Sequence, residues 1–274
     1  MTLYVVATPL GNLGDITLRA IDTLKKCTLI AAEDTRRTAP LLMHLGIEKK
    51  PLVSLHAHNE AESLPKVLAR LEAGEDVALV SDAGTPLVSD PGSLLVDACI
   101  EKGIAVVPIP GASAVLTALV GSGFGGGGFH FFGFLPRSGK VRKDRLESFG
   151  SLPEPIVIFE AANRTHETLV ELAALYPTRA VCIARELTKI YEEFIRGTLG
   201  ELAKEERAYR GEVVIVLGRV AATTEEVTDE TLAARIAGEA SGTRPLNEVA
   251  REIALWSGRK KSDVYSALLD ARKK

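Results

Sequence analysis

The regular alternation of short apolar runs with helical segments is the feature that most constrains the fold of this chain. Five apolar runs rich in β-branched residues predict buried strands in the first half, at 3–7, 28–32, 52–55, 76–81 and 105–109. Helical segments lie between these runs. Strands that alternate with helices form βαβ units, whose strands run in the same direction. The first half therefore predicts a mostly parallel sheet covered by helices.

The second half is less regular and has more hairpin character, which favours a mixed sheet. Its strands are predicted at 129–135, 155–159, 180–184, 192–197 and 211–217. From residue 221 onward the sequence predicts only helices, with Pro245 and Gly258 as breakers. We therefore predict an α/β protein with three domains. Two are α/β domains, at 1–118 and 119–220, and the third is a small helical tail resembling a helix-turn-helix, at 221–274.

Composition narrows the class of protein. The chain has 274 residues, 46% of them hydrophobic, so it can bury a sizeable core. Its net charge of −3 argues against nucleic-acid binding over the whole surface, but it does not exclude local basic patches that bind nucleic acid. Cys27, Cys99 and Cys182 are far apart and form no CxxC pair, which predicts a cytoplasmic protein without a zinc site or disulfide framework.

Neither secretion nor membrane insertion is expected. The first residues, MTLYVVATPLG, lack the charged and apolar regions of a signal peptide. No apolar run approaches the ~18 residues of a membrane span.

The glycine-rich stretch GSGFGGGG at 121–128 contains the GxGxxG spacing of a dinucleotide-binding fingerprint. That fingerprint requires a strand before it and a helix after it, so that the helix N-terminus meets the phosphates. Here a helix at 112–120 precedes the glycines and a strand follows them. We therefore interpret this stretch as a linker at a domain boundary.

Three predicted strands of the first half end in loops of similar composition, TPLGN, SDAGTP and PGASA. Open α/β sheets bind ligands beyond the carboxyl ends of their strands. Glycine and proline let backbone groups approach a ligand closely and hold them in place. Each loop alone also fits an ordinary βα turn. The three together, with the acid Asp82, predict a ligand site.

These loops carry a resemblance to a known family. The segments ATPLGNLGDITLRA, AAEDTR, SDAGTPLVSDPG and PIPGASA are similar to the successive motifs of the tetrapyrrole methylase superfamily. Together with FFGFLPR, RELTKIYEEFIRGTL and GEVVIVLG, they resemble its bacterial branch that methylates ribose in 16S ribosomal RNA. The resemblance covers nearly the whole chain.

The resemblance implies a fold, a reaction and a set of contacts. It implies two α/β domains of the tetrapyrrole methylase type, with S-adenosyl-L-methionine bound in a cleft between them, and a homodimer. It implies 2′-O-methylation of the cytidine at rRNA position 1402, within 16S rRNA or the small ribosomal subunit. By motif, contacts with the methyl donor fall on Leu10, Asp82, Gly84, Thr85, Ser113 and Ala114, and on Phe159, Glu160 and Ala161 from the second domain.

Methylation of a ribose hydroxyl needs alignment and benefits from a base. Alignment alone can supply up to ~7–11 kcal/mol, and a general base adds about 10²–10⁴-fold. Four residues are candidates for this catalytic role: Glu33, Asp34, Glu186 and Lys189. Residues 33–36 fit equally well a helix N-cap with a compensating arginine. His56 and His58 are more typical of a structural surface pair.

Binding of RNA needs positive charge near the cleft. Residues 136–145 contain five basic side chains and one acid, and 257–274 is also basic. Contacts with RNA are predicted at Arg36, Arg137, Lys140, Arg142, Lys143, Arg145, Lys260 and Lys261. Residues 136–145 also fit a solvated loop. The basic tail at 257–274 also fits a segment that merely packs on the body of the protein.

Two other functions stay open at this point. One is a related methylase that acts on a tetrapyrrole or on a protein side chain, for which the basic segments are unnecessary. The other is a non-enzymatic RNA-binding module, for which the loops SDAGTP and PGASA are unnecessary.

Overall fold

The computed structural model of the chain describes residues 1–220, 228–240, 244–257 and 259–272. These residues belong to two compact units, Met1–Val220 and Ala221–Lys274. The first unit contains two five-stranded sheets. The finer division of this unit at residue 118 stays a prediction.

The first sheet is entirely parallel, in the order β3-β2-β4-β1-β5, which confirms the prediction. The central strands β2 and β4 are buried at every position, as continuous apolar runs in a parallel sheet should be. The strands are Thr2–Val6 (β1), Leu29–Ala32 (β2), Leu52–Ser54 (β3), Val77–Val80 (β4) and Ala105–Ile109 (β5). The helices of this half are Leu18–Lys26 (α1), Thr35–His44 (α2), Glu60–Glu72 (α3) and Ser93–Glu101 (α4). The next helix, Ala114–Ser122 (α5), packs on the second sheet.

The second sheet is mixed, as predicted, in the order β6-β7-β10-β8-β9. Only β6 and β7 pair in parallel, and the other three pairs are antiparallel. The strands are His130–Phe134 (β6), Ile156–Ala161 (β7), Ala180–Arg185 (β8), Glu193–Thr198 (β9) and Glu212–Leu217 (β10). The helices are Lys140–Ser148 (α6), Thr165–Leu175 (α7) and Leu199–Leu202 (α8).

A buried arginine holds the irregular segment before β7 in place. The guanidinium of Arg179 donates hydrogen bonds of 2.8–3.2 Å to the carbonyl oxygens of Phe149, Leu152, Glu154 and Gly218. The planar fork of arginine suits this convergence of acceptors, and it satisfies backbone groups that the sheet leaves unpaired.

The glycine-rich stretch joins α5 to β6, in the order expected from the sequence. Gly123 ends α5 in the left-handed conformation, with φ of 83°, which favours glycine. Gly121 packs so closely on the ring of Phe194 in β9 that a side chain there would collide with it. Residues of the stretch thus end a helix and pack on β9, and the order of helix before strand is the reverse of the order that a dinucleotide-binding fingerprint requires.

The second unit is helical in its described part, as predicted. Its helices are Asp229–Ala240 (α9), Leu246–Ser257 (α10) and Lys261–Arg272 (α11), and they share a small apolar core. Gly258, the predicted breaker, and the basic Lys273 and Lys274 lie outside the described residues. Within the described ranges, no helix has the length and apolar character needed to cross a membrane.

The start of α4 depends on a carboxylate from another helix. Gly92 caps α4 without a side chain, and Glu60 of α3 supplies the missing acceptor. Its Oε1 atom accepts hydrogen bonds from the backbone N–H of Gly92 at 3.1 Å and of Leu94 at 2.8 Å. Glu60 is buried, so water cannot replace it at these donors.

We expect Glu60→Ala to lower the free energy of unfolding by about 1–3 kcal/mol, because it leaves these donors unsatisfied. Glu60→Gln retains an acceptor oxygen and should cost less. Glu62→Ala, on the exposed side of the same helix, is the matched control and should stay within about 0.5 kcal/mol of the wild type. Urea titration measures all three, and equal losses for Glu60→Ala and Glu62→Ala would contradict this role.

Candidate functional site

The loops after β1 and β4 are joined to each other beyond the sheet. The N–H of Thr8 donates to the carbonyl of Gly84 at 2.8 Å, and the N–H of Gly84 donates back to Thr8 at 2.9 Å. Gly84 has a φ of 76°, and a Cβ atom there would lie 3.1 Å from Leu10. Glycine is therefore required for the bridge, and TPLGN and SDAGTP form one rigid surface.

The loop after β5 attaches to the same surface. The hydroxyl of Thr85 donates a 3.0 Å hydrogen bond to the carbonyl of Ala112 in PGASA. Ser113 is the N-cap of α5, with its hydroxyl 3.5 Å from the N–H of Leu116. Both hydroxyls thus hold the three loops and the helix in position.

A cavity of about 450 Å³ lies where these loops meet the second sheet. All nine residues predicted to contact the methyl donor line it, although their contacts with a ligand stay a prediction. They are Leu10, Asp82, Gly84, Thr85, Ser113, Ala114, Phe159, Glu160 and Ala161.

Asp82 organises the acidic end of this cavity. Its carboxylate accepts hydrogen bonds from the N–H of Asp34 at 3.1 Å and from Arg37 at 3.2 Å. Its own N–H donates to the carboxylate of Glu33 at 3.2 Å. The loop after β2 is thereby tied to SDAGTP, and Glu33, one of the candidate bases, lines the cavity. No group of three or more metal-ligating side chains occurs among the described residues.

Asp90 also lines the cavity, and sequence reasoning missed it. Burial raises its pKa to about 6, and the nearby charges of Glu33 and Asp82 act in the same direction. Two flanking residues, Leu87 and Ser89, have φ values of 69° and 71°, a conformation that strains residues other than glycine. The signal was present in the sequence, because Asp90 is the second acid of the segment SDAGTPLVSDPG.

Asp34 and Arg36 form a helix N-cap with a compensating arginine, which is the structural role that the sequence also allowed for residues 33–36. Asp34 caps α2 by accepting from the N–H of Arg36 at 2.8 Å, and the two side chains form an ion pair at 2.7 Å. This pairing lowers the pKa of Asp34 to about 2. Neither residue lines the 450 Å³ cavity. A carboxylate with so low a pKa is a weak base, and a catalytic role for Asp34 stays a prediction.

Glu186 and Lys189 lie in the loop between β8 and β9 and pair with each other. Lys189 Nζ is 2.8 Å from Glu186 and 3.0 Å from Glu212, and the hydrogen bond from Lys189 lowers the pKa of Glu186. The side chain of Lys189 also lies directly against Gly11 of the loop TPLGN. Of these residues only Glu212 lines the cavity. The pair therefore links the loop TPLGN to the second sheet, and its catalytic role stays a prediction.

The prediction that Arg142 contacts RNA is corrected by its burial. Arg142 lies inside the protein, where its guanidinium donates to Glu171 at 2.9 Å, to the hydroxyl of Thr168 at 2.8 Å and to the carbonyl of Pro136 at 3.0 Å. A guanidinium so engaged is unavailable to an external phosphate. The segment 136–145 is also only partly a loop, because helix α6 begins at Lys140.

The remaining predicted RNA contacts are exposed in their own units. Arg137, Lys140, Lys143 and Arg145 are exposed, as are Lys260 and Lys261 of the second unit. Arg145 lies over the ring of Phe132 at 4.8 Å, and Lys143 is 3.7 Å from Glu147. Their contacts with RNA stay a prediction.

Comparison with known sequences agrees with this geometry. The sequence pattern of the tetrapyrrole (corrin/porphyrin) methylases matches residues 2–203. The chain belongs to this family. Three relatives carry the name ribosomal RNA small subunit methyltransferase I. The protein from Micromonospora olivasterospora is 46% identical, covering 92% of this chain and 82% of its own. The protein from Mesorhizobium japonicum is 44% identical, covering 98% of this chain and 92% of its own. The protein from Escherichia coli O157:H7 is 41% identical, covering 98% of this chain and 94% of its own.

Solved structures of the family share the fold. A uroporphyrin-III C-methyltransferase from Thermus thermophilus, complexed with S-adenosylhomocysteine, has a TM-score of 0.59 at 20% identity, covering 80% of this chain and 97% of its own. A diphthine synthase has a TM-score of 0.63 at 19% identity, covering 80% of this chain and 90% of its own. The predicted fold class is confirmed.

We expect Asp90→Asn to stabilise the protein by about 1–3 kcal/mol near pH 7.5, because it removes a charge that is costly to bury. The pKa of Asp90 is higher in the folded state than in the unfolded chain, so wild-type stability falls as the pH rises from about 4 to 6 and then levels off. The difference between variant and wild type should grow over that window. Urea unfolding at several pH values measures it, with Asp97→Asn on the exposed side of α4 as control. Parallel pH profiles for Asp90→Asn and wild type would contradict the burial cost.

Proposed function

We propose that the 450 Å³ cavity binds S-adenosyl-L-methionine and that the protein methylates ribosomal RNA of the small subunit. The charge of the cavity carries this proposal. Five acidic residues line it against one arginine, Arg37, and they are Glu33, Asp82, Asp90, Glu160 and Glu212. Glu160 is paired with Arg164 and Glu212 with Lys189, so the excess negative charge comes from Glu33, Asp82 and Asp90, and it favours a cationic ligand such as a sulfonium. Apolar walls, including Val88 and Phe159, suit the adenine ring.

The residues present fit this donor. The left-handed Gly84 leaves backbone space beside Leu10, and the joined loops are rigid before any ligand arrives. When bound, the donor supplies a methyl group already activated by its positive sulfur. The three loops would hold the donor in position, and its alignment with the acceptor oxygen would lower the barrier to transfer.

Asp90 is the group best placed to take the proton from an RNA hydroxyl. Its pKa of about 6 lies closer to neutrality than that of an ordinary aspartate, which makes it a stronger base while it remains ionised at pH 7. Glu33 is the second candidate, because it lines the same cavity. Glu186 and Lys189 act as positioning residues in this proposal.

The RNA substrate is supported by the names of the relatives at 41–46% identity. The finer target, the ribose 2′-hydroxyl of the cytidine at rRNA position 1402, rests on the motif resemblance. The tetrapyrrole and diphthine enzymes are only 19–20% identical, so they support the shared fold rather than a shared substrate. A non-enzymatic module would have no need for the strained loop around Asp90.

The donor proposal is tested by calorimetric titration with S-adenosyl-L-methionine and by methyl transfer to unmodified small ribosomal subunits. We expect Gly84→Ala to weaken donor binding at least tenfold, because its φ of 76° and its distance from Leu10 oppose a side chain. Gly125→Ala is the matched control, since its surroundings are empty and its φ is not positive. Absence of binding to the wild type would refute the proposal, and equal binding by both variants would place the donor elsewhere.

We also propose that the protein is a cytoplasmic homodimer that uses the exposed apolar residues of α5 and of the edge strand β5. Strand β5 exposes Val107, and α5 exposes Leu116 and Val120, which is 77% exposed. An unpaired strand edge and exposed apolar side chains are each typical of interaction surfaces. All three cysteines are unpaired and buried, in keeping with a reducing compartment.

The dimer is tested by light scattering. We expect Val120→Glu to shift the mass towards that of the monomer, because a charge would be buried without a partner. Val170→Glu, on an exposed position of α7, is the control and should leave the mass unchanged. A monomeric wild type would contradict the proposal.

A further inference from the structure

A second cavity, of about 570 Å³, opens beside the first at the carboxyl ends of β6 and β7. It shares two wall residues, Phe134 and Ala161, with the 450 Å³ cavity. The other residues that line it are Leu135, Arg137, Asn163 and Arg164. The two cavities are therefore neighbours with a common wall, and a molecule held in one can present an adjoining part to the other.

The aromatic residue of this common wall is aimed by a bulge. The pairing of β6 with β7 shifts register between Phe131 and Phe134. Gly133 in the bulge has a φ of 61°, and a Cβ atom there would lie 2.7 Å from the hydroxyl of Ser89. Bulges redirect side chains next to active sites. As a result Phe134, at the end of a strand, is 59% exposed between the two cavities.

Two polar side chains of the cavity have no partner within the part of the chain that the structure describes. Arg137 and Asn163 are both exposed, and neither side chain forms an ion pair or hydrogen bond with a described residue. The neighbouring Arg164 is different, because its guanidinium donates to Glu160 at 2.8 Å and to the carbonyl of Leu135 at 3.4 Å. The cavity thus combines an exposed aromatic ring, an unpaired cation and an unpaired amide.

We propose that this second cavity binds the nucleotide that is methylated, with its base stacked on Phe134 and a flanking phosphate on Arg137. The inference rests on the proposed function. Unpaired bases of RNA are recognised by stacking on aromatic rings and by hydrogen bonds to their edges, and the amide of Asn163 offers both a donor and an acceptor. The ribose joins base to phosphate, so it would lie at the common wall, facing the donor cavity. The nucleotide must leave its stack in the RNA to enter.

The experiment measures steady-state methyl transfer to unmodified small ribosomal subunits, together with calorimetric binding of S-adenosyl-L-methionine. We expect Phe134→Leu to raise KM for the subunits about tenfold to a hundredfold, the range given by loss of one base–aromatic stack. Phe134→Tyr keeps the stack and should restore KM. Asn163→Ala and Arg137→Ala should also raise KM while leaving donor binding within twofold of the wild type, because neither residue lines the donor cavity.

Salt dependence separates the phosphate contact from the base contact. The logarithm of the affinity for the ribosomal subunit falls linearly with the logarithm of the salt concentration. Arg137→Ala should make this slope less steep by about 0.7–0.9, as expected for one lost phosphate contact. Asn163→Ala should leave the slope unchanged. Lys25→Ala is the charge control, since Lys25 is exposed near the end of α1, just before the start of β2.

The outcomes distinguish this inference from the proposed function. A wild type that neither binds the donor nor transfers a methyl group refutes the function itself. A wild type that methylates, with KM unchanged in Phe134→Leu and Arg137→Ala, overturns the nucleotide site alone. If Phe134→Leu and Phe134→Tyr weaken donor binding as much as they raise KM, Phe134 is a wall of the donor cavity and the stacking assignment fails.

Discussion

The pair of hydrogen bonds between Thr8 and Gly84 is the contact on which the rest of the site depends. β1 and β4 are neighbours in a parallel sheet, and their loops would otherwise diverge where the sheet ends. The antiparallel bridge continues their pairing into the loops. Asp82 lies two residues before Gly84 and ties in the loop after β2, while Thr85, one residue after it, ties in the loop after β5. One backbone contact therefore fixes the geometry of four loops.

The charges around the cavity are divided into two groups with different roles. The carboxylate of Glu160 is buried and held by Arg164 and by the hydroxyl of Thr168, so it is neutralised within the protein. Asp82 has one arginine partner, and Asp90 has none of its own among the described residues. The negative potential of the cavity therefore comes from the acids that follow strands of the first sheet. The second sheet contributes mainly shape and apolar walls.

The sequence was informative where a local pattern and the packing agree. Fully buried strands such as β2 and β4 are continuous apolar runs, and the loop after β4 contains Gly84, whose φ of 76° favours glycine. Helix α6 was missed because only Arg142 and Leu146 of its residues are buried, which leaves almost no apolar periodicity. For the same reason Arg142 looked like a surface cation. The segment SDAGTPLVSDPG shows that Asp90 is present, but the raised pKa of Asp90 depends on its burial and on the charge of Glu33 as well as Asp82, which appear only in the folded chain.

The position of two strands has a consequence for how the protein is made. β1 lies between β4 and β5, and β10, the last strand among the described residues, lies between β7 and β8. Each sheet therefore remains open until strands far apart in sequence have met, and such non-local pairing is slow. A nascent chain that lacks β10 lacks the centre of its second sheet and part of the cavity wall. The 450 Å³ cavity is therefore complete only when β10 has joined its sheet.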